Sequence, residues 1–306
     1  MFAALKSRFG NWLFRPKIEH GTITLTQRRI FILPTRQGMI LAGVLILMLL
    51  GDINYNLSLG YILTFLLATM AILSMLHTFR NLAYLEIRAG RANPVYRGES
   101  ARFPLYFHSS LTRYQLALKN ENSICFDVEK QQTAEVFFPL PAMKRGWLES
   151  GKITIYTEFP LGLFRAWAYL HFDSHCLVYP KPLPGAALPK SADDTRSADE
   201  DFAGLRTYVP GDAEPRIAWK AYARGQGLLV KQFANQTAGE LWLDIKDAPD
   251  AGLEEKLSRM TSWVLEAESR GFLYGLRLGD CEISPGNGAA HRESCLSRLA
   301  LFGIAK

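Results

Sequence analysis

Two apolar runs, divided by a few polar residues, constrain this chain more than anything else in it. The first is apolar throughout from Gly38 to Gly51 and continues through Ile53 and Tyr55, with Asp52, Asn54 and Asn56 interleaved. The second, Leu57–Phe79, carries no Asp, Glu, Lys or Arg. About 20 apolar residues rising about 1.5 Å each cross the hydrocarbon core of a bilayer. The second run meets that length alone. The first meets it when its helix begins near Thr35 or extends toward Asn56. Together they predict a transmembrane hairpin over 38–79, with Asp52–Asn56 as a short turn at the far membrane surface. A cleaved signal peptide fits worse, because the first run starts late and no small-residue cleavage site follows it. A buried hairpin inside a soluble protein is the competing reading, and runs of this length disfavour it.

Charge placement gives the expected topology. The net charge is +6, and residues 1–38 hold Lys6, Arg8, Arg15, Lys17, Arg28, Arg29 and Arg36 against Glu19 alone. The hairpin holds only Asp52; Arg80, Arg88, Arg91 and Arg97 follow it. Positive charge on both flanks and none in the turn places both ends on the cytoplasmic side. The basic excess is juxtamembrane, which points to the lipid bilayer and not to a nucleic acid. Within the basic segment 1–37, Phe2, Leu5, Phe9, Trp12 and Leu13 share one helical face with basic neighbours. That pattern suits a helix lying on an anionic membrane, and equally one packed on its own protein. Cys125, Cys176, Cys281 and Cys295 show no paired spacing, which argues against a disulfide framework or a zinc knuckle.

Residues 80–180 read as β. Leu82–Arg88, Ala101–Ser109, Tyr114–Lys119, Ile124–Glu129, Ala134–Leu140, Lys152–Glu158 and Trp167–Phe172 are short runs rich in Val, Ile, Tyr, Phe and Leu, separated by turn residues. Such spacing predicts an all-β, immunoglobulin-like sandwich. His171, His175 and Cys176 invite a metal reading, but no third ligand sits at a usual spacing and strand-edge histidines account for them better. A Pro-rich then acidic stretch, 181–201, reads as a linker.

The segment Phe202–Phe233 is the densest in the chain. It places Arg206, Asp212, Glu214, Arg216, Lys220, Arg224 and Lys231 among Tyr208, Trp219, Tyr222 and Phe233. Interleaved charges and aromatics serve either an internal ion-pair network or a docking hot spot. Arg206, Tyr208, Asp212, Arg216, Trp219, Lys220 and Lys231 are therefore the candidate hub, read as structural first and as a partner surface second. Pro215–Arg224 suggests a helix that Asp212 could cap, and Leu228–Phe233 a strand. Glu240–Ile245 (strand), Leu253–Arg270 (helix stopped by Gly271), Phe272–Leu278 (strand), a loop Gly279–Ala289 and His291–Phe302 (helix) predict a parallel βαβ unit within 202–306. The expected fold class is thus α+β with a membrane hairpin, a β-sandwich and a small α/β region.

These residues carry a resemblance. Gly98-Glu99, Arg145-Gly146, the string Pro160-Leu-Gly-Leu-Phe-Arg165, Val178-Tyr-Pro180 and the pattern Leu205-Arg206, Tyr208, Gly211-Asp212, Arg216, Trp219-Lys220-Ala221, Ala223 resemble the bacterial domain-of-unknown-function fifty-eight family from about Gln27 onward. The resemblance implies a multi-pass protein of the bacterial inner membrane. It further implies an adaptor or chaperone component working with a MoxR-type AAA+ ATPase and neighbouring membrane proteins in cell-envelope or complex assembly. It also implies a truncated, degenerate von Willebrand factor A-like C-terminal region. In A-domains the first strand ends in Asp-x-Ser-x-Ser, which holds a divalent ion. Here the matching stretch is Asp244-Ile245-Lys246-Asp247-Ala248, with a cation and a methyl where hydroxyls belong, so the expectation is no metal. No phosphate loop, His-Glu-x-x-His or Gly-x-Ser-x-Gly occurs, and no cysteine sits beside a base in a recognisable motif. No cofactor and no catalytic residue are expected. The alternative is a membrane enzyme or carrier with a polar centre at Arg206, Asp212 and Lys220.

Overall fold

The computed structural model describes residues 21–120, 123–185, 187–189, 202–208, 219–225, 227, 229–233, 241–279 and 281–304. The expected amphipathic helix near the N-terminus and the acidic run after Lys190 lie outside them. The chain divides into two compact units, 1–177 and 178–306.

In the first unit, strands β1 (Thr22–Thr24) and β2 (Phe31–Pro34) precede two long helices, α1 (Arg36–Tyr55) and α2 (Ser58–Leu82). The strands β3 (Glu86–Ala89), β4 (Val95–Tyr96), β5 (Ser100–His108), β6 (Arg113–Leu118), β7 (Ile124–Val128), β8 (Thr133–Pro141), β9 (Gly146–Glu149), β10 (Lys152–Thr157), β11 (Phe164–His171) and β12 (His175–Tyr179) follow. They form sheets ordered β1-β3-β5-β8, β2-β11-β10-β6-β7 and β4-β12-β9. Alternation along β5 turns Ala101, Phe103, Leu105 and Phe107 inward, and β6, β10 and β11 answer with Leu116, Leu118, Ile153, Ile155, Ala166 and Ala168 in one core. This antiparallel, two-sided packing is what the alternating pattern anticipates.

Several expectations need correction. The run Leu82–Arg88 becomes a strand only at Glu86, because Leu82 ends α2 and Ala83 caps it by donating its N–H to Phe79 O. β4 and β9, two and four residues long, are too short to show a period-2 signal. The basic segment before the hairpin contributes β1 and β2, one to each main sheet, through the pairs Ile23↔Ile87 and Ile32↔Ala166. The polar turn is also shorter than expected. Asp52–Tyr55 are helical, and the reversal is Asn56–Leu57, with Asn56 at φ 52 and Leu57 N donating to Asp52 O at 3.2 Å. Asparagine tolerates that left-handed position.

The hairpin is built inside out. α1 buries Gly38 and Asp52; α2 buries Thr64, Ser74, Thr78, Asn81 and only Leu82 among its large apolar residues. Leu47, Leu50, Leu59, Ile62, Phe65 and Leu66 are exposed. At 20 and 25 residues the helices are long and apolar enough to cross a bilayer, being about 30 and 37 Å at the standard rise.

The second unit is laid out separately. An antiparallel pair, β13 (Phe202–Thr207) and β14 (Leu229–Phe233), brackets the one-turn helix α3 (Trp219–Tyr222) in sequence. Then β15 (Leu241–Asp244), α4 (Leu253–Ser269), β16 (Tyr274–Leu278), β17 (Cys281–Gly286) and α5 (Ala289–Leu301) follow. β15 and β16 pair in parallel across α4, as the βαβ pattern requires. The expected loop Gly279–Ala289 instead contains β17, antiparallel to β16. Gly271, at φ 72, ends α4, and Phe272 N donates back to Ala267 O at 3.0 Å, so the next strand starts at Tyr274. The Pro-rich stretch is strapped to α4: Ser262 Oγ donates to Leu183 O at 2.9 Å and Trp263 Nε1 to Ala187 O at 2.5 Å.

Candidate functional site

The most built polar site lies where the hairpin meets the sandwich. Thr35 caps α1: its hydroxyl accepts from Gly38 N at 3.2 Å and donates to Gly162 O at 2.6 Å. Thr35 N donates to Leu163 O at 2.9 Å. Gly38 is needed because a Cβ there would collide with that Leu163 carbonyl oxygen. The Pro160–Arg165 string is thus the loop that receives the hairpin's first turn. On the return helix, Thr78 Oγ1 donates to Phe159 O at 2.7 Å, and Asn81 Nδ2 donates to Tyr114 O at 2.7 Å and Thr157 Oγ1 at 2.9 Å.

Arg113 completes this root. It is 4% exposed and its guanidinium donates to Arg80 O, to Ala83 O at 2.8 Å and to Ser109 Oγ at 2.8 Å. A cation at the last carbonyls of α2 satisfies acceptors that the helix leaves open and opposes the dipole's negative end. Burial, then the Arg80 charge, pulls the Arg113 guanidinium below its ordinary value. Nothing in the sequence singled out Arg113, because two of its three partners are backbone carbonyls.

At the other end of the hairpin, Asp52 is 5% exposed and Oδ2 accepts from Thr64 Oγ1 at 2.8 Å. Gly60 makes room for it; a Cβ there would meet the carboxylate. The carboxylate therefore locks one helix to the other beside the turn.

The sequence hub is described in part. Arg206 lies in β13 opposite Val230, and Lys231 in β14 opposite Leu205. Tyr208 follows β13 and is half-buried. Trp219 and Lys220 open α3, where Trp219 is 59% exposed and meets the edge of the exposed Tyr222 ring at 6.4 Å. Asp212 and Arg216 lie outside the described residues. The structure brings Arg206 and Lys231 onto neighbouring strands, and it places an exposed aromatic pair on α3.

Other clusters resolve into local contacts. Asp244 Oδ1 accepts from Lys246 N at 2.9 Å, so the carboxylate caps the short turn Ile245–Asp247, and Ala248 is buried. His175 lies between Asp173 (3.3 Å) and Glu149 (3.9 Å), whereas Cys176 is buried with its thiol toward Asn93 O. No group of three or more His, Cys, Asp or Glu suited to a metal occurs among the described residues. One pair escaped the sequence reading: Cys295 Sγ and His291 Nε2, one helical turn apart on α5, are 3.6 Å apart. Burial, then Glu268, pushes the Cys295 thiol up to about 12, and the same His291 nitrogen contacts Tyr274 O at 2.7 Å. A nucleophile needs the thiolate and access, and Cys295 has neither.

No family model, curated protein or solved structure matches the chain.

Proposed function

We propose that this chain is a non-enzymatic membrane adaptor of the bacterial inner membrane, multi-pass through its α1–α2 hairpin, with both termini in the cytoplasm. The observation that carries the reading is the inside-out hairpin: polar residues buried, leucines and isoleucines exposed. In water that arrangement leaves a large apolar surface uncovered; in lipid it is the stable one. Both hairpin ends root in the same sandwich, which supports their lying on one side of the bilayer. In this reading the sandwich is immunoglobulin-like and the second unit a degenerate von Willebrand factor A-like region.

The partner we propose is a MoxR-type AAA+ ATPase, together with neighbouring membrane proteins; this rests on the residue pattern quoted above. The exposed Trp219–Tyr222 pair supplies a docking feature of the kind that interfaces use. Two measurements test the proposal. A periplasm-only reporter fused at Lys306 is expected to be inactive, and activity there would overturn the topology. Full-length protein purified from mildly solubilised membranes is expected to retain an AAA+ ATPase, and Trp219→Ala with Tyr222→Ala to lose it without lowering Tm. Retention by the double variant would remove α3 from the interface.

A further inference from the structure

The registers of the two main sheets sort their strand ends to one of two ends of the sandwich. Pro34↔Phe164, Glu86↔His108, His108↔Thr133 and Thr157↔Leu116 lie at the end from which the chain enters α1 and leaves α2. Ser100↔Pro141 and Lys152↔His171 lie at the opposite end. The hairpin end carries a set of exposed apolar side chains that no core claims: Leu33, Tyr84, Leu111, Tyr114 and Leu161. Each is tied to the hairpin root. Leu33 precedes the cap Thr35, Tyr84 follows the cap Ala83, Tyr114 pairs its backbone with Asn81, and Leu161 precedes the Gly162–Leu163 carbonyls that receive Thr35. Leu111 N donates to Ser109 Oγ, the hydroxyl that Arg113 also uses.

We propose that this rim is seated in the headgroup layer of the bilayer that the hairpin crosses, so that the sandwich rests in the membrane surface and does not hang from it. The inference rests on the membrane reading of α1 and α2. Three observations select lipid as the occupant. The rim adjoins the apolar shaft where each helix leaves the sandwich, Leu33 just before α1 and Tyr84 just after α2. It mixes tyrosines and leucines, the composition of an interfacial belt, where an amphipathic ring keeps its hydroxyl wet and its face apolar. It is bordered by the exposed Arg28, Arg36 and Arg80, which suit anionic headgroups. Tyr84 is further held at φ 59, a backbone state unfavourable for a bulky residue, with Tyr84 N donating to Leu25 O and its hydroxyl accepting from Gln27 Nε2 at 3.1 Å. That conformation fixes an aromatic at the surface immediately after the membrane helix.

The experiment uses the full chain in vesicles of phosphatidylcholine and phosphatidylglycerol. Single cysteines replace Leu111, Leu161, Leu47 on α1, and Met143 at the opposite end of the sandwich, in a Cys125→Ser/Cys281→Ser background. Each is coupled to an environment-sensitive fluorophore. The expected result is that labels at Leu111→Cys and Leu161→Cys shift to the blue and are quenched most by a headgroup-proximal spin label. The Leu47→Cys label should be quenched most by a spin label deep in the acyl chains, and the Met143→Cys label by neither. Rim labels as aqueous as the one at Met143→Cys, with the Leu47→Cys label still deep, would overturn the rim while leaving the hairpin standing. An aqueous label at Leu47→Cys would remove both.

Discussion

Helices α2 and α4 bury opposite kinds of side chain. α4 turns Leu257, Met260, Trp263, Val264 and Ala267 inward and leaves Glu254, Glu255 and Ser269 outside. α2 turns Thr64, Ser74, Thr78 and Asn81 inward and leaves leucine, isoleucine, methionine and phenylalanine outside. The two helices use the same backbone and answer to different surroundings. For α4 the stabilising term is apolar area removed from water. In the membrane placement proposed above, apolar area on α2 makes no difference between packed and lipid-facing sides, so specificity falls to hydrogen bonds and to glycines that permit close approach. Gly38 against Leu163 O and Gly60 against the Asp52 carboxylate are of that second kind.

Truncating an apolar side chain in each helix gives the largest contrast. Trp263→Ala empties a site that is 2% exposed and removes the hydrogen bond to Ala187 O, and is expected to cost about 3–5 kcal/mol. Phe65→Ala on α2 is expected to cost about 0.5 kcal/mol or less. Thermal unfolding in detergent, followed by circular dichroism, measures both. Equal losses would mean that α2 packs as a soluble helix does.

The polar root should show the reverse dependence. Arg113→Ala orphans the carbonyls of Arg80 and Ala83, at about 1–3 kcal/mol for each buried acceptor left unpaired. Arg113→Lys is expected to recover only part of this, since an ammonium does not reproduce a planar fork reaching several oxygens. A Tm for Arg113→Ala equal to that of the parent would show that water replaces the guanidinium and that the root is not held by it.

What was legible in the sequence follows the same division. The apolar faces and runs announced themselves: both hairpin helices, α4, α5 and most sandwich strands lie within a few residues of where periodicity puts them. The polar contacts did not. Asp52 reads as a turn residue because its partner, Thr64, sits on the other helix and becomes a neighbour only once the hairpin closes. Arg113 reads as one arginine among many because a carbonyl acceptor has no side-chain signature. β17 was hidden by Pro285 and Gly286, which suggest a loop, yet an edge strand paired on one side tolerates both. Of the hub, Lys220 and Lys231 fall on the helix and strand expected for them, Arg206 lies on β13, a strand the sequence reading did not anticipate, and Asp212 and Arg216 lie beyond the described residues.

The smallest expected effect is a pH dependence arising in the second unit; Tyr106 of the first unit, raised above its ordinary value chiefly by its hydrogen bond to Glu135, adds one of the same sign. Tyr274 is fully buried and its hydroxyl donates to Glu268 Oε2 at 3.1 Å. Burial, then the neighbouring Cys295, raises the tyrosine above its ordinary 10.0, and burial raises Cys295 from 9.0 to about 12. In the folded chain both groups stay protonated where the unfolded chain loses their protons. Raised folded values leave stability complete below the unfolded values and remove it as pH climbs. The loss therefore begins near 9 for Cys295 and near 10 for Tyr274, with a slope of at most about 1.4 kcal/mol per pH unit for each group. The hairpin root has no counterpart, because an arginine keeps its charge throughout that range. Chemical unfolding of the full chain at about pH 8 and about pH 10.5 should show a stability loss that shrinks in Cys295→Ala and Tyr274→Phe but persists in Arg113→Lys. If the two unit 2 variants lose as much as the parent on going alkaline, the dependence originates elsewhere. In that event the buried Tyr274–Cys295 pair is not what ties the second unit's stability to alkaline pH.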